Sequence, residues 1–119
     1  MKKLILSVFF LLICVCTNAQ DVLLDTASLV KKQVFRSLEE ALKTPMKVYR
    51  LDLKGKDLSE LSKEIAELKN LQILDVSSNI LTTLPKEIGG LENLQELNLS
   101  GNKLTALPSE IGELKKLKS

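Results

Sequence analysis

The sequence predicts an α/β solenoid with a short parallel sheet on its concave face and short helices or 3-10 turns on its convex face. Two observations favour this architecture. From residue 68 onward the chain repeats itself every 23 residues, and each copy changes from strand-like to helix-like spacing. A third observation, the placement of proline and glycine, argues against one long amphipathic helix.

The repeat is carried mainly by aliphatic residues at fixed positions. Between residues 68–90 and 91–113, 14 of 23 positions are identical. Residues 45–67 form a decayed first copy, in which Lys56 and Ser62 stand where the later copies have asparagine and proline. We therefore expect about three repeats over residues 48–119, the last of them incomplete.

The spacing of apolar residues changes inside each copy. Residues 94–99 end in an alternating step that is typical of a strand, whereas residues 107–114 have the spacing of a helical turn. Pro85, Pro108 and Gly101 would each interrupt a continuous helix across this region. Each copy is thus predicted to contain a strand, a turn and a short helix.

This pattern resembles a known family. The motif Leu-x-x-Leu-x-Leu/Val-x-x-Asn-x-Leu, which starts at Leu71 and again at Leu94, resembles the leucine-rich-repeat consensus. The continuation Leu-Pro-x-x-Ile-x-x-Leu from Leu84 resembles the 23-residue class of Ras-group scaffolds and many bacterial repeat proteins. The resemblance implies a module that binds proteins. It also implies that Asn79 and Asn102 bond loop backbone and stack as a structural ladder.

The first copy departs from the family pattern. Because Lys56 occupies the asparagine position there, we expect the ladder to begin at Asn79. For the same reason we expect the turn of the first copy to be looser than the later turns.

Residues 1–19 have the features of a secretory signal peptide. Two lysines at positions 2–3 precede an apolar run at residues 4–15, and small residues lead to a cut before Gln20. The run is shorter than the roughly 20 residues that span a bilayer, which favours cleavage over an uncleaved anchor. The ending resembles signal peptides of Bacteroidetes-type Gram-negative bacteria. We expect the mature protein to be secreted or in the cell envelope, with no membrane attachment.

Cleavage at this point changes the residue inventory. Cys14 and Cys16 leave with the signal, and neither follows the small residue that a lipoprotein cysteine requires. The mature chain then has no thiol for a disulfide or a metal site. Of 17 basic residues, Lys2 and Lys3 also leave, so 15 remain against 15 acidic residues. A net charge of zero argues against a nucleic-acid-binding surface.

The segment before the repeats is predicted to be a mobile leader at residues 20–27 and an N-terminal helical cap at residues 28–47. Ser37 and Glu40 fit a capping box, and Pro45 is expected to stop the helix. Such a segment would cover the open end of the first repeat, which a solenoid needs for solubility.

The residue types present argue against an enzyme. The chain has no histidine and no tryptophan, and Gly89 and Gly90 do not form a phosphate-binding loop. We therefore predict no catalytic residue, cofactor or metal site.

The candidate binding residues are the outward positions of the predicted strands. A parallel sheet places equivalent residues about 4.8 Å apart. Asp52 and Asp75 become neighbours, so cation binding is an alternative to an ordinary solvated surface. Arg50 and Ile73 are the best candidates for interface anchors. The candidate set is Arg50, Asp52, Lys54, Ile73, Asp75, Ser77, Glu96, Asn98 and Ser100.

The last copy is followed by no polar cap within the sequence. Leu114 and Leu117 lie where a further strand is expected to begin. The leading hypothesis is a protein-binding module with a partner on its concave face. The alternative is a fragment or assembly unit of a longer repeat protein, which stacks on another array or self-associates through this end.

Overall fold

The structure, a computed structural model, describes residues 28–29 and 31–118. The predicted signal peptide and leader therefore lie outside the described residues. The described part forms a parallel sheet of four strands in chain order, with one short α-helix after the first strand and 3-10 helices between the others. The strands are β1 (Val34–Phe35), β2 (Arg50–Asp52), β3 (Ile73–Asp75) and β4 (Glu96–Asn98); the α-helix is α1 (Leu38–Leu42); the 3-10 helices are Pro45–Lys47, Lys63–Glu67, Lys86–Gly90 and Ser109–Glu113.

The predicted α/β solenoid is confirmed. Strands β2, β3 and β4 are 23 residues apart and pair in parallel, so equivalent residues of successive copies are neighbours. The convex side consists of 3-10 helices. Pro85 and Pro108 are the N-cap residues of two of them, one position earlier than the first helical residue. Ser62, at the proline position of the first copy, caps its helix by accepting a hydrogen bond from the Glu64 amide.

The core lies between the sheet and the convex helices. The central leucines of β2 and β3, Leu51 and Leu74, are fully buried, as are Ile65 and Ile88 from the 3-10 helices. Burying an aliphatic side chain of this size contributes roughly 1.5–3 kcal/mol. Since no copy can bury its apolar face alone, the copies are stable only when stacked.

One glycine allows the convex helices to approach closely. A Cβ atom at Gly89 would lie 2.7 Å from the backbone oxygen of Glu110, in the next 3-10 helix. Gly112 occupies the same position one repeat later, and a Cβ atom there would meet nothing within 4 Å among the described residues. The glycine is thus required where another repeat follows.

The segment before the repeats is only partly helical. β1 pairs in parallel with β2, so Val34 lies beside Arg50 and Phe35 beside Leu51. A two-residue strand is too short to show a period, and the sequence analysis missed it. The helix itself has the predicted start and end. Ser37 accepts a hydrogen bond from the Glu40 amide at 3.4 Å, and α1 ends before Pro45.

The asparagine ladder begins at Asn79, but the turn of the first copy is not left without hydrogen bonds. The Asn79 Oδ1 atom accepts hydrogen bonds from the Lys56 and Leu58 amides at 2.9 and 3.0 Å. Its Nδ2 group donates to the carbonyls of Leu53 and Val76 at 2.9 and 2.8 Å. The expectation of a looser first turn is wrong, because each asparagine bonds the turn of the copy before it.

A second set of asparagines, Asn70 and Asn93, precedes the strands, whereas the ladder asparagines follow them. Asn70 Nδ2 donates to the Met46 carbonyl, and Asn93 Nδ2 donates to the Lys69 carbonyl, both at 2.8 Å. Lys116 takes the equivalent place in the last copy and donates from Nζ to Asn93 Oδ1 at 2.7 Å. The exact 23-residue spacing of the two asparagines was the signal that the sequence analysis did not use.

Candidate functional site: the concave face

The concave face is a grid of side chains set by the strand register. Arg50, Ile73 and Glu96 are direct neighbours in one row. Asp52, Asp75 and Asn98 are direct neighbours in the next row. The structure therefore aligns these six residues as the repeat predicts, on three strands whose backbones are fixed by pairing. Whether they bind a partner stays a prediction.

The third predicted row is only partly accessible to solvent. Lys54, Ser77 and Ser100 lie beyond the ends of the strands, and Ser77 is only 3 % exposed. Its carbonyl accepts hydrogen bonds from the Gly55 amide and from Asn79 Nδ2, at 3.1 and 3.2 Å. The backbones of successive copies stay hydrogen-bonded here, since the Ser78 amide donates to the Ser100 carbonyl at 2.8 Å. Ser77 is therefore removed from the candidate binding residues, whereas Lys54 and Ser100 are exposed.

The first strand adds two residues that the sequence analysis missed. Because Val34 pairs with Arg50, it extends the row of Arg50, Ile73 and Glu96 by one strand. Arg36 follows directly after β1, lies next in register to Asp52 and is exposed. The face is thus four strands wide, about 14 Å from the first strand to the last.

Side chains in the row of Asp52, Asp75 and Asn98 already make hydrogen bonds within the protein. Asp52 accepts a hydrogen bond from the Lys54 amide at 3.0 Å, and Asp75 accepts one from the Ser77 amide at 2.9 Å. The second carboxylate oxygen of Asp75 accepts a hydrogen bond from Asn98 Nδ2 at 3.4 Å. Within the described residues, no group of three or more acidic, histidine or cysteine side chains is arranged to hold a metal ion.

Two shallow recesses meet at the centre of the face. One, of about 230 Å³, lies over the first three strands and is lined by Val34, Arg36 and Arg50, among others. The other, of about 490 Å³, lies over the last two strands and includes Glu96 and Lys118. Ile73 and Asp75 line both recesses. Ile73 is half-buried and is thus an apolar group at the centre of a polar surface.

Tyr49 lies just before the first row. The ammonium group of Lys32 is 5.2 Å from the centroid of the Tyr49 ring, within the range of a cation–π contact. This contact covers one face of the only tyrosine in the chain. Ile73 and Arg50, both half-buried on the sheet, therefore stay the better anchor candidates.

The described residues contain no helix that is long and apolar enough to cross a membrane. No curated protein gives a significant match to the chain.

Comparison with solved structures gives a leucine-rich repeat protein of Leptospira interrogans, which is 34 % identical in sequence. The match covers 71 % of this chain and 33 % of that protein, with a TM-score of 0.37. This chain therefore spans about a third of the length of that relative.

The family model described as a leucine-rich repeat region matches residues 42–119, which is more than half of the chain. The matched residues include β2, β3 and β4 and the 3-10 helices between them. This chain belongs to the leucine-rich repeat family.

Proposed function

We propose that this protein is an exported, non-enzymatic module that binds a protein partner on its concave face. The observation that carries the proposal is the half-buried Ile73, an apolar side chain held at the centre of a charged grid by strand pairing on both sides. Interface anchors are typically large apolar or aromatic groups surrounded by polar residues that exclude water. Export is proposed from residues 1–19, which have the features of a signal peptide.

The mechanism is recognition by a preorganised surface. Parallel pairing and the asparagine ladder fix the backbone before a partner arrives, so little conformational entropy is lost on binding. A standard interface buries roughly 800 Å² on each partner. The fourth strand, which adds Val34 and Arg36, enlarges the face toward that requirement.

The proposal is tested by capture from an envelope extract of the native host. Immobilised wild-type protein is compared with the Ile73→Asp variant and with Ile80→Asp as a matched control. Ile80 is an isoleucine of the same copy, but it is exposed and lies in the loop beyond β3. We expect one partner to be lost only with Ile73→Asp. Equal capture by both variants would contradict concave-face recognition.

A second candidate function is stacking on another repeat array through the last copy. Leu97, Leu99 and Leu104 are half-exposed, whereas their counterparts one repeat earlier are fully buried. Leu107 is 51 % exposed, against 7 % for Leu84 at the same position in the preceding copy. These residues define the end face, an apolar surface of the kind that each earlier copy covers with the next.

Gly112 provides a sharp test of stacking. A further repeat would approach Gly112 as Glu110 approaches Gly89, so a large side chain there should block it. We expect sedimentation to show self-association of the wild-type protein that Gly112→Leu abolishes without loss of helical and strand signal. A wild-type protein that stays monomeric at all concentrations would remove the reason for this second candidate.

A further inference from the structure

The charges on the concave face are divided between its two ends. Arg36, Arg50 and Lys54 lie on or just beyond β1 and β2, together with the single carboxylate of Asp52. The charged residues at the other end are Asp75 on β3, Glu96 on β4 and Lys118, which lies beside β4.

The two ends therefore carry opposite charge. The end at β1 and β2 has a net charge of two positive, and the end at β3 and β4 has a net charge of one negative. Ile73 lies on β3, between Arg50 on β2 and Glu96 on β4, and lines both recesses.

The distances between these groups match an extended polypeptide. Neighbouring strands are about 4.8 Å apart, so, measured across the strands, Ile73 lies about 7 Å from the midpoint between Arg36 and Arg50. Glu96 lies about 5 Å beyond Ile73 in the same direction, and its side chain is exposed and long enough to reach further. Along an extended segment, side chains on one face recur about every 6.6 Å. Three alternate residues therefore cover the positive end, Ile73 and the negative end.

We propose that the concave face selects an extended segment of its partner that carries an acidic, an apolar and a basic residue at alternate positions. The acidic residue lies against Arg36 and Arg50, the apolar residue against Ile73, and the basic residue against Glu96. The segment crosses the strands. The acidic residue can come first or last in its sequence, because a segment of reversed sequence can bind in the opposite chain direction and place the same side chains against the same residues. This inference rests on the proposed function, since it names the partner chemistry of the same face.

The probes are three nonapeptides with blocked ends and serine or threonine at the other positions. The first has Glu, Leu and Lys at alternate central positions, the second has Glu, Leu and Glu, and the third has Lys, Leu and Lys. Binding to the mature protein is followed by the shifts of backbone amide resonances, which give a Kd and locate the contact. We expect the first peptide to bind at least about threefold more tightly than the others, as exposed charge pairs allow.

Charge reversal at one residue of the protein tests the same charge order from the other side. Glu96→Lys should exchange the preference between the first and second peptides, because the negative end becomes positive. Glu92→Lys makes the same charge change in the same repeat, in an exposed loop before β4, and should leave the preference as in the wild type.

Equal affinity for all three peptides, or the same preference in the Glu96→Lys variant, would overturn the proposed charge order. If Ile73→Asp nevertheless abolishes partner capture, the binding face is right and only the partner chemistry is wrong. Failure of both experiments would overturn the proposed function as well.

Discussion

Replacing Asn79 with alanine should destabilise the protein far more than its share of the surface suggests. Asn79 is 5 % exposed, and its amide makes hydrogen bonds to backbone groups in two successive copies. The alanine variant leaves the Lys56 and Leu58 amides and the Leu53 carbonyl without these partners. An unsatisfied buried polar group costs about 1–3 kcal/mol. Because the two amides are only part-buried, we expect a total loss of about 3 kcal/mol.

Two further variants separate the ladder from general surface effects. Lys56→Ala changes an exposed side chain at the equivalent position, and it should cost less than about 0.5 kcal/mol. Asn79→Asp keeps the acceptor for the Lys56 and Leu58 amides, but it replaces the donor to the Leu53 and Val76 carbonyls with a second carboxylate oxygen in a buried site, so its loss should be at least as large as that of the alanine variant. Urea titration followed by circular dichroism measures all three variants. Equal losses for Asn79→Ala and Lys56→Ala would refute the ladder as the source of stability.

Other predictions concern a buried amide, a close glycine contact, a left-handed serine and the signal peptide. Gln72 is fully buried, and its side-chain amide has no hydrogen-bond partner among the described residues, so Gln72→Leu should stabilise the protein by about 1 kcal/mol in the same urea assay. Gly89→Ala should cost at least about 1 kcal/mol because its Cβ meets backbone, whereas Gly112→Ala should be neutral or stabilising; equal effects would contradict the close approach of the helices. Ser78 has φ of 54°, so Ser78→Gly should raise the melting temperature by relieving a left-handed conformation, and an unchanged value would count against that strain. N-terminal sequencing of protein from the native host should begin at or near Gln20, and an intact Met1 would exclude cleavage.

The repeat predicted the sheet and its register because a fixed period places equivalent residues on neighbouring strands. That argument was sufficient for the alignment of the two outward rows and for the start of the ladder at Asn79. It failed where the chain is not periodic. β1 has two residues, no counterpart in the copies and hence no signal, so Val34 and Arg36 were missed.

The period also does not show where a side chain points once a strand has ended. Lys54, Ser77 and Ser100 are equivalent in sequence, yet only Ser77 is buried. Lys54 is at the first copy and Ser100 at the last, whereas Ser77 has a copy on both sides. The first turn was judged from Lys56 alone, although its hydrogen bonds come from the following copy. Contacts between copies, rather than the residues within one copy, determine both the burial of Ser77 and the hydrogen bonds of the first turn.

The proposed function depends on Ile73 as the anchor for a protein partner on the concave face. The most direct measurement is calorimetric titration of the captured partner into the wild-type protein, Ile73→Asp and Ile80→Asp. We expect the Kd to rise at least about tenfold for Ile73→Asp, since a charge replaces a central apolar contact, and to change less than about twofold for Ile80→Asp. A partner that binds both variants with the wild-type affinity would show that recognition takes place on another surface.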